Sequence, residues 1–117
     1  MGAIEKGLIV APTSVCAVWP KEFEDAATFK FKVNVLLGDK RQRIRELEAL
    51  KAFPFKALKV AVINYESTWR EGIIETLMDW KPDMVIADES QRIKTHDAQQ
   101  SKAMHRLGDI AKYKLIL

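Results

Sequence analysis

The sequence predicts an α/β fold with a mostly parallel sheet of five strands. Five short apolar runs are separated by segments with helical spacing, and this alternation is typical of strands joined by right-handed helical crossovers. Four of the runs are continuously apolar, as in strands buried on both faces of a parallel sheet. The five runs are Leu8–Ala11, Val33–Leu37, Lys59–Ile63, Met84–Ala87 and Lys114–Leu117.

The first two connections contain helical segments. Residues 14–27 fill the first connection, where Pro20 predicts a kink or a restart because proline cannot donate a hydrogen bond to the preceding turn. Asp39 is a candidate cap for a helix that runs from residue 40 to about residue 52. The inner face of that helix is predicted to consist of Ile44, Leu47 and Leu50.

Two capping boxes predict the later helices. Thr68 and Glu71 fit the first box, in which a hydroxyl and a carboxylate each satisfy a free backbone N–H group, and Pro82 ends this helix. Its apolar stripe is Trp69, Ile73, Leu77 and Trp80. Asp97 and Gln100 fit the second box. The inner face of this last helix is predicted to contain Met104, Leu107 and Ile110.

The composition is that of a globular protein. Hydrophobic residues make up 48% of the 117 residues and charged residues 30%, which excludes disorder and a membrane protein, and the net charge of +3 permits a polyanionic partner. No apolar run approaches the roughly 20 residues that cross a bilayer. Cys16, the single cysteine, excludes an internal disulfide and is predicted to be a core residue. We expect one domain, or a piece of one, over residues 1–117, in the cytoplasm or the nucleus, with no membrane partner.

Two adjacent carboxylates follow the fourth apolar run. Asp88 and Glu89 come directly after Ala87, and open α/β sheets place their ligands at the carboxyl ends of strands. In phosphoryl-transfer ATPases one such carboxylate holds Mg²⁺, and a second orients or deprotonates the attacking water. From these residues alone, a pair of solvated loop acids is the favoured interpretation, because Asp and Glu commonly follow strands.

A group of cations begins the helix that follows Asp39. The group consists of Lys40, Arg41, Arg43 and Arg45. Cations at a helix N-terminus oppose the helix dipole, and a bound phosphate would reverse that penalty. The alternative is a solvated basic face that is offset by Glu46 and Glu48.

Four segments, in order along the chain, resemble one family. Residues 88–94, Asp-Glu-Ser-Gln-Arg-Ile-Lys, resemble the DExx box of superfamily two helicases in the form found in Swi/Snf-type ATPases. Residues 8–14 resemble motif Ia, residues 62–66 resemble the family's strand and Tyr-Glu turn, and residues 112–117 resemble the strand that leads into motif III. The resemblance covers nearly the whole chain, so it is far more specific than any single motif.

The resemblance implies a three-layer RecA-like fold of the P-loop NTPase type, as part of the first lobe of a motor. Such motors use ATP and Mg²⁺ to translocate on double-stranded DNA. Asp88 would hold Mg²⁺ through water and Glu89 would activate the attacking water. Gln91, Arg92 and Lys94 would sense the nucleotide and couple its state to the motor. The second RecA-like lobe and the remainder of the first would be partners of this segment.

The resemblance also implies contacts with the DNA backbone. Thr13 and Ser14, in the segment similar to motif Ia, would contact phosphates through their hydroxyl and backbone N–H groups. Lys40 and Arg41 would lie at the edge of the lobe that tracks the duplex. Contacts of this kind position a strand and read no base sequence.

The sequence departs from the family pattern in three respects. The phosphate-binding pattern G-x-x-x-x-G-K-[ST] does not occur, because Leu8 and Ile9 follow the spaced Gly2 and Gly7 where Lys and Ser or Thr are required. Motif III and the second lobe lie outside the sequence, which indicates truncation at the C-terminus. The usual Ala-His after Asp-Glu is replaced by Ser-Gln. We therefore expect the chain alone not to hydrolyse ATP.

Two alternatives remain in view. A non-catalytic RecA-like module that binds DNA or a protein is favoured by the missing phosphate loop. A receiver domain has similar length and five strands, but it needs an acidic pair near the end of its first strand. Here that strand ends in Ala11-Pro12-Thr13, which disfavours the receiver interpretation.

Overall fold

A parallel sheet forms the centre of the fold. The structure is a computed structural model that describes residues 5–26, 31–53, 58–88 and 98–116. The strands in these ranges are β1 (Lys6–Ala11), β2 (Phe31–Val35), β3 (Leu58–Asn64), β4 (Met84–Ala87) and β5 (Tyr113–Ile116). Their order across the sheet is β2-β3-β1-β4-β5, and every neighbouring pair is parallel. The predicted five-stranded α/β architecture is therefore confirmed.

Helices cover both faces of the sheet. Those in the described ranges are α1 (Thr13–Cys16), α2 (Trp19–Ala26), α3 (Lys40–Lys51), α4 (Tyr65–Thr68), α5 (Ile73–Trp80) and α6 (Ala98–Ile110). Leu8 and Val10 of β1 pack with α3, α5 and α6 on one face. Ile9 and Ala11 pack with α1 and α2 on the other. Because β1 is buried on both faces, its apolar run is continuous, and the fold has three layers.

The break predicted at Pro20 is confirmed. α1 ends at Cys16, two turn residues follow, and α2 begins at Trp19 with Pro20 as its second residue. Proline is tolerated in the first turn of a helix because its missing N–H group would have no partner within the helix. The chain therefore restarts a helix here and redirects it along the sheet.

The cap predicted at Asp39 is also confirmed. The Asp39 carboxylate accepts a hydrogen bond from the Gln42 backbone N–H over 2.9 Å, and the Gln42 side chain accepts one from the Asp39 N–H over 3.1 Å. Leu47 and Leu50 are fully buried, and Ile44 is partly buried against the same apolar core, as predicted for the inner face of α3. The reciprocal cap fixes where α3 begins relative to the end of β2.

The cap predicted at Thr68 is wrong. Thr68 is fully buried at the end of α4, and its hydroxyl donates to the Tyr65 carbonyl over 2.7 Å instead of capping a new helix. α5 begins later, at Ile73, where the Gly72 N–H donates to the Glu75 carboxylate. Gly72 has a φ of +89°, which glycine adopts without the strain that other residues suffer. Ile73, Leu77 and Trp80 of the predicted stripe are buried on α5, which ends at Trp80 before Pro82. Trp69 lies before α5, at the end of α4, and packs partly buried against the same cluster.

The new cap at Glu75 depends on charge. The backbone N–H groups of Glu75 itself and of Gly72 hold the pKa of the Glu75 carboxyl below its ordinary value. Because this carboxyl pKa is lower in the folded protein than in the unfolded chain, the charged form of the side chain stabilises the fold. The contribution of this cap is therefore present at neutral pH and is lost as the pH falls through the lowered pKa.

One strand boundary and one helix face differ from the prediction. β2 ends at Val35, and Leu37 is 46% exposed because Gly38, with a φ of +91°, turns the chain away from the sheet. Ile110 is 37% exposed at the end of α6, one turn beyond the buried Leu107, and so does not belong to the inner face. Asp97, in the second predicted capping box, lies outside the described residues.

The amino edge of the sheet is held by one aspartate. The Asp83 carboxylate accepts the backbone N–H groups of Glu5 and Lys6, each over 2.9 Å, and so joins the turn before β4 to the start of β1. The Asp83 carbonyl accepts the N–H groups of Lys112 and Tyr113.

No helix among the described residues combines the length and apolar character needed to cross a bilayer.

Replacing Asp39 by alanine should destabilise the fold by about 1 kcal/mol, because the Gln42 backbone N–H at the start of α3 loses its side-chain acceptor. Urea unfolding monitored by circular dichroism measures this change. Asp39→Asn is the matched control, since an asparagine side chain still accepts the Gln42 N–H bond. Equal stabilities for the alanine and asparagine variants would show that the cap contributes nothing.

Cys16 should resist alkylation in the folded protein. It is 1% exposed, its thiol points at the carbonyls of Ala11 and Pro12, and burial raises its pKa, so little reactive thiolate is present. We expect iodoacetamide to modify it at least about 100-fold more slowly than in urea, because reaction requires opening of the fold. Val18→Cys in a Cys16→Ala background is the control, since Val18 is exposed in the next turn. Similar rates at the two positions, measured by mass spectrometry, would contradict the buried placement.

Candidate functional site at the carboxyl edge of the sheet

The register of the central strand brings the ends of three strands together. Ala11 of β1 lies opposite Asn64 of β3, and Val10 lies opposite Ala87 of β4. Since all three strands are parallel, the residues that follow them meet at one edge of the sheet. This carboxyl edge is where open α/β sheets bind ligands.

Asp88 is held at this edge through its backbone. Its N–H donates to the Val10 carbonyl over 2.8 Å, which extends the pairing of β1 with β4 by one residue. Its carbonyl accepts the Tyr65 hydroxyl over 2.7 Å. Because Tyr65 is buried in the core at the start of α4, the hydroxyl is a fixed donor. Asp88 is thereby anchored from β1 on one side and from α4 on the other.

The donor chemistry at Asp88 is compatible with magnesium. Mg²⁺ keeps several of its waters and is commonly bound by one or two carboxylates together with substrate phosphates. A half-buried carboxylate at the carboxyl edge fits that requirement, whereas the described residues contain no cluster of three or more His, Cys, Asp or Glu side chains that would hold a metal alone. The other predicted residues of this segment lie outside the described ranges, namely Glu89, Gln91, Arg92 and Lys94.

Thr13 and Ser14 lie at the same edge of the sheet as Asp88. Both begin α1 directly after β1 and both are exposed. The Thr13 hydroxyl oxygen accepts a hydrogen bond from the Asn64 side-chain amide over 3.2 Å. Asn64 ends β3 directly after the apolar residues 60–63, and that polar ending was the signal in the sequence that could have identified it.

Arg43 does not belong to an exposed basic face. Its guanidinium donates to the carbonyl of Leu36 over 2.6 Å, to the carbonyl of Gly38 over 2.8 Å and to the side-chain oxygen of Asn64 over 3.0 Å. Burial lowers the pKa of Arg43, and nearby Arg70 lowers it further, yet a guanidinium stays protonated in proteins. Arg43 therefore joins α3 to the ends of β2 and β3.

The other cations of this group face solvent. Lys40, Arg41 and Arg45 are exposed, and Lys40 and Arg41 open α3 immediately after the loop that follows β2. The Lys40 side chain lies over the turn before α5, where a Cβ on Gly72 would collide with its Cε atom. Lys40 and Arg41 thus lie on the carboxyl side of the sheet, as do Thr13 and Asp88.

A solved structure with the same fold supports the architecture. The chain superimposes with a TM-score of 0.68 on a nuclease-deletion mutant of the Type ISP restriction-modification enzyme LlaGI, solved in complex with a DNA substrate mimic. The match covers 96% of this chain and 10% of that enzyme, at 15% sequence identity. At that identity the likeness establishes the fold, which is the RecA-like fold expected from the sequence.

Sequence comparisons establish the family. The model of the SNF2-related domain matches residues 1–117. Switch 2 of Arabidopsis thaliana is 34% identical over 96 residues, or 82% of this chain, and Protein CHROMATIN REMODELING 25 of the same plant is 27% identical over 106 residues, or 89%. The chain spans 10% and 11% of the lengths of these relatives. It belongs to the SNF2-related family of helicase-like motor proteins.

Proposed function

We propose that residues 1–117 form part of the first RecA-like lobe of a motor that hydrolyses ATP and translocates on double-stranded DNA. The observation that carries this proposal is the shared carboxyl edge. There Asp88, the first residue of the segment that resembles the DExx box, lies at the same edge as the Thr13-Ser14 pair that resembles motif Ia. A nucleotide site and a DNA contact on one rigid edge are what a motor needs for coupling hydrolysis to movement.

Asp88 and Glu89 have different roles in the proposed reaction. Bound Mg²⁺ supplies positive charge that neutralises the phosphates of ATP. Asp88 would hold that ion, and its own backbone is anchored by hydrogen bonds to the Val10 carbonyl and from the Tyr65 hydroxyl. Glu89, the next residue, orients and deprotonates the attacking water. Gln91, Arg92 and Lys94 follow in the chain and would relay the state of the nucleotide.

The proposed activity requires parts that these 117 residues do not contain. The sequence has no G-x-x-x-x-G-K-[ST] loop, so the isolated chain has no lysine and hydroxyl to hold the β- and γ-phosphates. A second lobe would supply an arginine finger, and closure of the two lobes would move the duplex. We therefore expect ATP hydrolysis by the full-length protein and none by this chain alone. The full-length protein would act on DNA in the cytoplasm or the nucleus.

DNA would lie across the carboxyl side of the sheet. Thr13 and Ser14 would contact the phosphates of one strand, and the exposed Lys40 and Arg41 would add charge contacts nearby. Phosphate contacts position the duplex without reading its sequence. The bound DNA mimic of the structural neighbour and the chromatin-remodelling name of one relative support DNA as the partner.

A non-catalytic RecA-like module that binds DNA or a protein is the second candidate. The absence of the phosphate-binding loop from the sequence favours it. The two candidates differ in one property, since only the motor loses a DNA-stimulated reaction when the carboxylates at the carboxyl edge are replaced.

Asp88→Asn and Glu89→Gln should each lower DNA-stimulated ATP hydrolysis by the full-length protein by about 10²–10⁴-fold, because the magnesium ligand or the general base is removed. A coupled phosphate-release assay with and without duplex DNA measures this loss. Asp79→Asn is the control, since Asp79 is an exposed acid on α5 whose ion pair with Lys51 is at the surface. If the full-length protein binds DNA but hydrolyses no ATP, the motor proposal fails and the binding module stands.

Lys40→Ala and Arg41→Ala should weaken duplex binding equally for all sequences. Each should reduce the slope of log affinity against log salt by about one, because one fewer counterion is released for each lost phosphate contact. Fluorescence anisotropy across a salt series measures the slope. Lys51→Ala changes a cation at the opposite end of α3 and should leave the slope unchanged. An equal change for Lys51→Ala would show that α3 does not direct its N-terminal end at the DNA.

A further inference from the structure

A chain of hydrogen bonds links three residues that are far apart in the sequence. Arg43 of α3 donates to the side-chain oxygen of Asn64, and the side-chain nitrogen of Asn64 donates to the hydroxyl oxygen of Thr13. Asn64 is 6% exposed, whereas Thr13 lies at the surface. The chain therefore runs from a partly buried cation through a buried amide to an exposed hydroxyl.

The cation fixes the orientation of the amide. A guanidinium can only donate, so the side-chain oxygen of Asn64 must face Arg43 and its nitrogen must face Thr13. Arg43 cannot move away easily, because the carbonyls of Leu36 and Gly38 also accept its N–H groups. The amide is thus held in one of its two possible orientations.

The orientation of the amide in turn fixes the direction of the hydroxyl. The side-chain nitrogen of an asparagine can only donate, so the Thr13 oxygen accepts that bond and its hydrogen must point elsewhere. Within the part of the chain that the structure describes, the Thr13 hydroxyl donates no hydrogen bond. Its hydrogen is therefore directed away from Asn64, from an exposed residue at the carboxyl edge.

We propose that Asn64 is a positioning residue that holds the Thr13 hydroxyl as a hydrogen-bond donor to a DNA phosphate. A phosphodiester oxygen carries no proton and only accepts, so a hydroxyl with its hydrogen turned outward is the matching partner. Arg43 completes the device by fixing Asn64. This role of Asn64 depends on the DNA contact proposed above for Thr13 and adds the residue that sets its direction.

Asn64→Asp tests the direction of the hydroxyl with almost no change in shape. One carboxylate oxygen keeps the bond to Arg43, and the other accepts from Thr13, which must then turn its hydrogen inward and its lone pairs outward. We expect duplex affinity of the full-length protein to fall about tenfold, the size of one lost hydrogen bond to a charged group. Thr13→Val should cause a similar loss, and Thr13→Ser should cause none.

A double-mutant cycle separates this effect from a general repulsion of DNA by the new carboxylate. If Asn64 acts through the hydroxyl, Asn64→Asp should cause no further loss when Thr13 is already valine. A full tenfold loss in the valine background, or no loss from Asn64→Asp alone, would overturn the positioning role while leaving the DNA contact intact. No loss from Thr13→Val would instead remove the proposed contact at Thr13 itself, and the positioning role with it.

Asn64→Leu provides a second variant in case the aspartate variant does not fold, which thermal unfolding reveals. Leucine makes neither bond, so the Thr13 hydroxyl rotates freely and still donates to a phosphate part of the time. We expect a loss about midway between wild type and Thr13→Val, and no further loss in the valine background. A loss that persists in that background would overturn the proposal independently of the aspartate variant.

Discussion

The burial of β1 on both faces is the constraint on which the rest of the structure depends. β1 is the middle strand and pairs with β3 on one side and β4 on the other, so both registers are set by one apolar segment. A slip of one residue would exchange the side chains that face the two helical layers. The apolar packing on each face of the sheet would then be lost, so this slip is unfavourable. The same registers place Asn64 opposite Ala11 and Asp88 beside Val10. Packing in the core thus determines which polar residues meet at the carboxyl edge.

The polar residues at that edge form a second layer of constraint above the core. Arg43 donates hydrogen bonds to the carbonyls of the loop after β2, and the Tyr65 hydroxyl donates one to the carbonyl of Asp88. These backbone groups therefore have partners where the sheet ends. Partly burying a guanidinium has a cost, which appears in the lowered pKa of Arg43. Three accepting oxygens offset that cost, and they also make Arg43 a rigid connection between α3 and the sheet.

Local patterns in the sequence predict the parts of the fold that depend on neighbouring residues. The strands follow from continuous apolar runs, and the start of α3 follows from Asp39 because both of its cap bonds join residues three apart. The cap at Thr68 fails because the buried hydroxyl bonds to Tyr65 within a short turn that the pattern does not reveal. The bonds of Asn64 escape prediction for the opposite reason. Its place at the end of an apolar run can be seen in the sequence, but its partners Thr13 and Arg43 are 51 and 21 residues away. Only the folded sheet brings such residues together.

Arg43 shows why charge in a sequence does not translate directly into a binding surface. Four cations begin α3 and look equivalent in the sequence, but only Arg43 reaches the end of β3, where it donates to the side-chain oxygen of Asn64. Arg43 therefore forms part of the carboxyl edge of the sheet, whereas Lys40 and Arg41 remain exposed at the surface beside it. A helix that carries both kinds of cation links its own position to that of Asn64, and through Asn64 to Thr13. The geometry of the edge and the charge displayed next to it are therefore set by the same helix.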